Sequence, residues 1–123
     1  MSNLIFAIMS QVTRNRRNTI LNVYFPNENK TICERYAADT LKEVILKIGV
    51  DKVADACRKN INTPLNSNGV PLVTKIRNNY YGNRQHEVGD GWLVFTGTNT
   101  MVKKRQLEML RDFFSINMRV SIV

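Results

Sequence analysis

The chain has 123 residues, of which 43% are hydrophobic and 23% are charged. This length suits one domain with a hydrophobic core and is too short for two ordinary domains. Eighteen Lys and Arg residues against ten Asp and Glu residues give a formal net charge of +8 and a pI near 9.9. The composition excludes an acidic disordered tail and a collagen-like chain, and no apolar run approaches the ~20 residues of a membrane-spanning helix. Such a basic domain attracts polyanions, most often nucleic acid.

Residues 4–9 are apolar, but they are too few for the core of a signal peptide and no Lys or Arg precedes them. We therefore expect a cytoplasmic protein. A short basic loop at Arg14, Arg16 and Arg17 follows. The two cysteines, Cys33 and Cys57, lie in periodic apolar stretches and are predicted to be buried rather than paired in a disulfide.

The alternation of apolar residues predicts a hairpin at the start of the folded region. Leu21, Val23 and Phe25 share one face of a strand over residues 19–25, and the turn-forming residues 26–29 let residues 30–33 return as a second strand.

Helical spacing of apolar residues predicts two helices over residues 37–59. Thr40 has capping-box spacing for the first helix, with Asp39 or an earlier residue as the alternative start, and Gly49 ends it. The second helix begins near Asp51 as its N-cap.

The second half of the chain contains the remaining strands and a third helix. The pattern of residues 72–77 predicts a strand that carries Lys75 and Arg77 on one face. Residues 78–90 are predicted to form a polar connection. Residues 92–96 predict a strand buried on both faces, Thr100 begins a helix, and residues 118–123 alternate as a last strand.

This order predicts a single α+β domain with a mostly antiparallel sheet and about three helices packed on one face. Its parts are an N-terminal segment with the hairpin (residues 1–36), two helices (37–59) and a strand-strand-helix-strand unit (71–123).

Enzyme chemistry has weak support in the sequence, so we predict no catalytic residue, no metal site and no cofactor. His86 is the only histidine and lies in a polar segment; a Cys-His nucleophile pair stays open, although neither cysteine lies at a sharp turn or an evident helix start. The Asp followed by Glu-x-Lys of many nucleases and the phosphate-binding Gly-rich loops are both absent from the sequence.

The candidate binding segment is the end of the buried strand and the helix start that follows it. Thr98, Asn99 and Thr100 supply short hydrogen-bonding side chains, and helix N-termini favour phosphate. Asn binds an adenine edge in the major groove, and Thr binds phosphate or contacts a methyl group. The purely structural interpretation, an N-cap at Thr100 after a turn, stays open. The helix then carries three cations where its dipole disfavours them: Lys103, Lys104 and Arg105.

The second half of the chain resembles the C-terminal DNA-binding domain of the SeqA family. The resemblance lies in the basic strand with Lys75 and Arg77, in the segment 86–89, and in the aromatic strand that runs from Trp92 into Thr98-Asn99-Thr100. SeqA proteins are bacterial replication-sequestration proteins that bind hemimethylated GATC sites. The resemblance covers residues 50–123, with Gly97 in place of the first Asn of the family motif. It implies backbone contacts by Lys75 and Arg77, base reading by residues 98–100, and a phosphate contact by Lys103.

We therefore predict a non-enzymatic domain that binds nucleic acid, with duplex DNA as the leading candidate. Two alternatives stay open. One is a protein-interaction or homo-oligomerisation module, accessory to a DNA-handling system, that uses the strand edges of the hairpin and the last strand. The other is RNA binding through Tyr80 and Tyr81 or Tyr24.

Overall fold

The computed structural model describes residues 19–123 and confirms the predicted α+β class with antiparallel strands. Within these residues the strands form two three-stranded sheets and one two-stranded hairpin, rather than a single sheet. We number the elements in chain order: β1 Leu21–Phe25, β2 Lys30–Ile32, α1 Ala37–Ile48, α2 Val50–Lys59, β3 Asn66–Ser67, β4 Val70–Pro71, β5 Val73–Thr74, β6 Gln85–Gly89, β7 Trp92–Phe95, α3 Thr100–Phe114 and β8 Arg119–Ile122.

The first sheet has the strand order β2-β1-β8 and unites the predicted hairpin with the predicted last strand. Alternate residues of β1 are buried, as its period-two pattern predicted. Leu21 pairs with Ile122, and Phe25 pairs with Lys30 at the other end of β1. In the described part of the chain, β2 and β8 are therefore the two edges of this sheet.

The second sheet has the strand order β5-β7-β6, and its central strand β7 is the predicted buried strand. Strand β6 was predicted as a polar connection, because its exposed residues His86 and Glu87 give no apolar alternation. The predicted strand over residues 72–77 is wrong in length, since only Val73–Thr74 pair with β7. The Thr74 hydroxyl accepts the Ile76 N–H at 3.1 Å, which turns the chain out of the sheet.

The helical region begins at Ala37, as predicted, so α1 has the early start that the sequence left open, and α2 begins before its predicted N-cap, Asp51. Tyr36 is the N-cap of α1, whereas the buried Thr40 hydroxyl accepts the Glu34 N–H at 2.8 Å and fastens the connection from β2. Gly49 ends α1 as predicted and, with φ of 122°, is also the N-cap of α2. Asp51 therefore lies in the first turn of α2 instead of capping it.

One cluster of buried apolar side chains joins the two three-stranded sheets to the three helices. Its members from β1, α1, α2, β7 and α3 include residues with no exposed surface: Val23, Val44, Val53, Val94 and Leu107. Cys57 belongs to this cluster, as predicted, but Cys33 is exposed. Cys33 follows the last residue of β2, Ile32, which is buried, so the alternation of the strand turns Cys33 outward.

None of the helices between residues 19 and 123 combines the length and apolar character needed to cross a bilayer. The predictions for the apolar residues 4–9 and for the basic loop at Arg14, Arg16 and Arg17 lie outside the described residues.

Candidate nucleic-acid interface

The segment that joins β7 to α3 passes very close to the second sheet. The N–H and the hydroxyl of Thr96 both donate to the Arg84 carbonyl, at 2.9 Å and 3.2 Å. A Cβ on Gly97 would lie 2.7 Å from Cε1 of Phe95 and 2.9 Å from Cδ of Arg84. A side chain at position 97 would displace its neighbours, so this glycine lets the loop lie against Phe95 and Arg84.

Helix α3 begins at Thr100, as predicted, with Asn99 as its N-cap. The Asn99 side-chain oxygen accepts the Val102 N–H at 2.8 Å. This bond holds the exposed Asn99 amide at the helix end. A paired donor and acceptor contact to an adenine edge would compete for the oxygen that forms the cap. The Thr100 hydroxyl donates to the Thr19 carbonyl at 3.3 Å, which ties the helix start to the chain just before β1.

Lys103 is buried, with only 4% of its surface exposed. Its ammonium group donates to the carbonyls of Thr96 (3.2 Å) and Thr98, and its Nζ lies 3.5 Å from the Thr98 hydroxyl. Burial lowers the pKa of Lys103 from 10.5 to about 8. The prediction that Lys103 faces phosphate does not fit this geometry, because the ammonium group points into the loop that precedes the helix.

The sequence contained a signal for the burial of Lys103. Lys103, Leu107 and Leu110 have the i, i+4, i+7 spacing of one helix face, and both leucines are fully buried. Lys103 was predicted to face phosphate because of its charge, although this spacing places it on the buried face of the helix.

The neighbouring cations Lys104 and Arg105 differ in their contacts. Lys104 forms an ion pair with Glu108, one helical turn later, at 2.8 Å. Arg105 is exposed and has no ion pair or side-chain hydrogen bond with any residue of the described region. The first turn of α3 contains no acidic residue. The surface beside the helix start is therefore positive.

Lys75 and Arg77 do not share a strand face. Lys75 places its Nζ 4.7 Å from the centroid of the Trp92 ring, at the opposite end of β7 from Thr96. Arg77 donates from Nη1 to the carbonyls of Gly82 (2.6 Å) and Gln85 (2.9 Å). The chain leaves the sheet after Thr74, so the two-residue spacing no longer places these side chains together.

Arg84 is the cation that sequence reasoning missed. It is exposed, and it comes next to the candidate loop through the bonds from Thr96 to its carbonyl and the packing of its Cδ at Gly97. Because β6 was predicted as a connection, nothing in the sequence aligned Arg84 with the end of β7. The pairing of Gln85 with Phe95 makes this alignment.

The titratable groups that nucleophilic or metal chemistry would use are dispersed. Partial desolvation, followed by the neighbouring Glu34 carboxylate, raises the pKa of the exposed Cys33, and burial raises the pKa of Cys57, so both thiols are protonated at neutral pH. His86 lies with Nδ1 3.4 Å from the Lys42 ammonium, and burial followed by this cation lowers its pKa. Within residues 19–123, no three His, Cys, Asp or Glu side chains form a group that could hold a metal ion.

Comparison with known proteins found no matching family model, no matching curated protein and no matching solved structure.

Proposed function

We propose that the chain is a non-enzymatic domain that binds duplex DNA beside the start of helix α3. The observation that carries the proposal is the buried ammonium of Lys103. It is held by carbonyl oxygens and has no carboxylate partner in the described part of the chain. An uncompensated cation inside a low-dielectric region makes an anion at the adjacent surface favourable.

Three further features add to this positive potential. The dipole of α3 places its positive end at Asn99 and Thr100, where helix stability alone favours Asp or Glu. Arg105 and Arg84 contribute exposed guanidinium groups, which suit phosphate because of their planar donor geometry. Lys104 adds a partly neutralised charge.

We assign roles from these contacts to the residues of the helix start, which the sequence predicted, and to Arg84, which it did not. Arg84, Lys104 and Arg105 bind phosphates, and the hydroxyl groups of Thr98 and Thr100 flank the duplex. Asn99 caps the helix and meets the duplex through its exposed amide. Lys103 is a positioning residue that fixes the loop and supplies charge without touching DNA. A DNA partner also agrees with the cytoplasmic location expected from the sequence.

The first test is binding of a fluorescent DNA duplex, measured by anisotropy at low salt. Arg105→Ala should weaken binding several-fold. The matched control Arg119→Ala should not, because Arg119 pairs with Tyr24 toward the far end of the first sheet. Equal effects of the two substitutions would contradict the assignment. Duplexes with and without adenine methylation test the expectation from the SeqA resemblance in the same experiment.

A second candidate function, protein interaction, is favoured by an apolar groove between α2 and β5. The groove measures about 490 Å³. It lies between Ile61, which is 67% exposed, and Ile76, which is 77% exposed. Lys75 and Arg58 line it as well, so its expected partner is a protein segment with an apolar side chain next to acidic ones.

Trp92 lines this groove and is the single tryptophan of the sequence, so its fluorescence reports on occupation of the groove. An acidic peptide rich in Leu and Asp should shift this emission, and Ile76→Ser should abolish the shift. Unchanged emission at saturating peptide would exclude this candidate.

A further inference from the structure

The loop between β5 and β6 is held in one shape by three sets of hydrogen bonds. The Asn78 side-chain oxygen accepts the N–H groups of Tyr80 (2.8 Å) and Tyr81 (2.7 Å). The Asn78 N–H donates to Oε1 of the buried Gln85 at 2.7 Å, and Arg77 donates to two carbonyls of the same region. Such bonds fix a loop before any ligand arrives, which reduces the entropy lost on binding.

This fixed loop presents the ring of Tyr80 to solvent. The side chain is 81% exposed, although a tyrosine ring gains free energy from burial. Its ring centroid lies 4.6 Å from that of Tyr81, edge to face, and Tyr81 packs in turn on the buried Phe95 at 5.8 Å. Tyr80 is therefore a supported, outward-facing aromatic surface and not a freely moving side chain.

The same loop adjoins the proposed DNA interface. Phe95, which supports Tyr81, also touches the position where Gly97 leads into α3. Arg84, at the end of the loop, lies against Gly97. Tyr80 and Arg84 thus belong to one loop that packs against Phe95 and Gly97, next to the start of α3.

We propose that Tyr80 stacks on an unpaired base, so that the preferred ligand of this interface is DNA in which a duplex adjoins an unpaired base. The inference rests on the proposed function. In an intact duplex each base is covered by its neighbours, whereas an unpaired base offers a free face. Stacking of a base on an aromatic side chain tolerates any base and depends on the ring alone. Arg84 then holds the phosphate of the duplex beside the stacked base.

The test uses the full chain and two DNA duplexes that differ only in one bulged 2-aminopurine, a fluorescent adenine analogue. The protein should bind the bulged duplex about tenfold more tightly and quench its fluorescence. Tyr80→Ala should remove both the preference and the quenching while binding to the intact duplex is unchanged. Tyr80→Phe should keep both, because it retains the ring. The control Tyr36→Ala removes a tyrosine that is 54% exposed at the N-cap of α1 and should change neither property.

The outcomes separate the two proposals. Equal affinity for the two duplexes, or a preference that survives Tyr80→Ala, overturns the role of Tyr80 and leaves the proposed function standing. Failure to bind either duplex overturns the proposed function and, with it, this inference. Tighter binding to an RNA duplex with the same bulge overturns the assignment to DNA.

Discussion

Replacement of Lys103 by Met tests whether a buried ammonium lies behind the start of α3. Methionine keeps the apolar length of the side chain and removes the charge. The structure predicts that the stability difference between the two proteins depends on pH, because only the wild-type side chain titrates. At 4% exposure, screening by solvent has little influence on this group.

The magnitude follows from the pKa of Lys103, which falls from 10.5 to about 8 on folding. At about 1.4 kcal/mol per pH unit, the charged form costs the folded state about 3 kcal/mol relative to the neutral amine. Below pH 8 the amine is protonated in both states and the full cost applies. As the pH rises from 8 to 10.5, the folded state loses its proton first and the cost disappears. Wild-type stability relative to Lys103→Met should therefore rise by about 2 kcal/mol between pH 7 and pH 9.5.

The assay is urea denaturation of the wild type, Lys103→Met and Lys104→Met at both pH values. Lys104 is the matched control, because its partly exposed ammonium forms a surface ion pair with Glu108. The pH dependence of Lys104→Met should equal that of the wild type. A difference between wild type and Lys103→Met that stays constant from pH 7 to pH 9.5 would refute the burial of this ammonium.

Three other predictions concern the same region. Asn99→Ala should lower the free energy of unfolding, measured by urea denaturation, by about 1 kcal/mol, since the Val102 N–H loses its acceptor. Asn99→Asp should keep the stability and weaken duplex binding, measured by anisotropy, through its negative charge. Undiminished DNA binding by Asn99→Asp would count against the interface. Gly97→Ala should lower the free energy of unfolding by about 1–3 kcal/mol, because its Cβ would lie 2.7 Å from the Phe95 ring; an unchanged midpoint in urea would be incompatible with this close packing. The affinity of the wild type for the duplex should decrease as the pH rises through about 8, where Lys103 loses its charge. The Lys103→Met variant should lack this decrease. An equal decrease in both proteins would show that other groups cause it.

Elements in which apolar residues repeat at a regular spacing were predictable from the sequence. Strands that depend on backbone hydrogen bonds alone were not. The alternation of Leu21, Val23 and Phe25 located β1, because one face of that strand packs on the core. Strand β6 carries exposed polar residues and depends on hydrogen bonds to β7, which no side-chain pattern records. The length of β5 was mispredicted because a local hydrogen bond at Thr74 ends the strand.

The candidate site divides in the same way. The helix start after Asn99 was located from turn chemistry and helical spacing, since both are local properties of the chain. Arg84 and Tyr80 lie in a segment without periodicity, and they reach the site only through tertiary packing on Phe95 and Gly97. Lys75 was assigned to the site on the assumption of a longer strand, and the structure places it beside Trp92 instead.

The most direct test of the central claim is the salt dependence of duplex binding. Contact of Arg84, Lys104 and Arg105 with phosphates should give a slope of about −3 in a plot of log affinity against log salt concentration. Arg105→Ala should reduce the size of this slope by about one, and Arg119→Ala should leave it unchanged. Absence of binding at low salt, or an affinity independent of salt, would contradict the claim that this domain binds DNA through the start of α3.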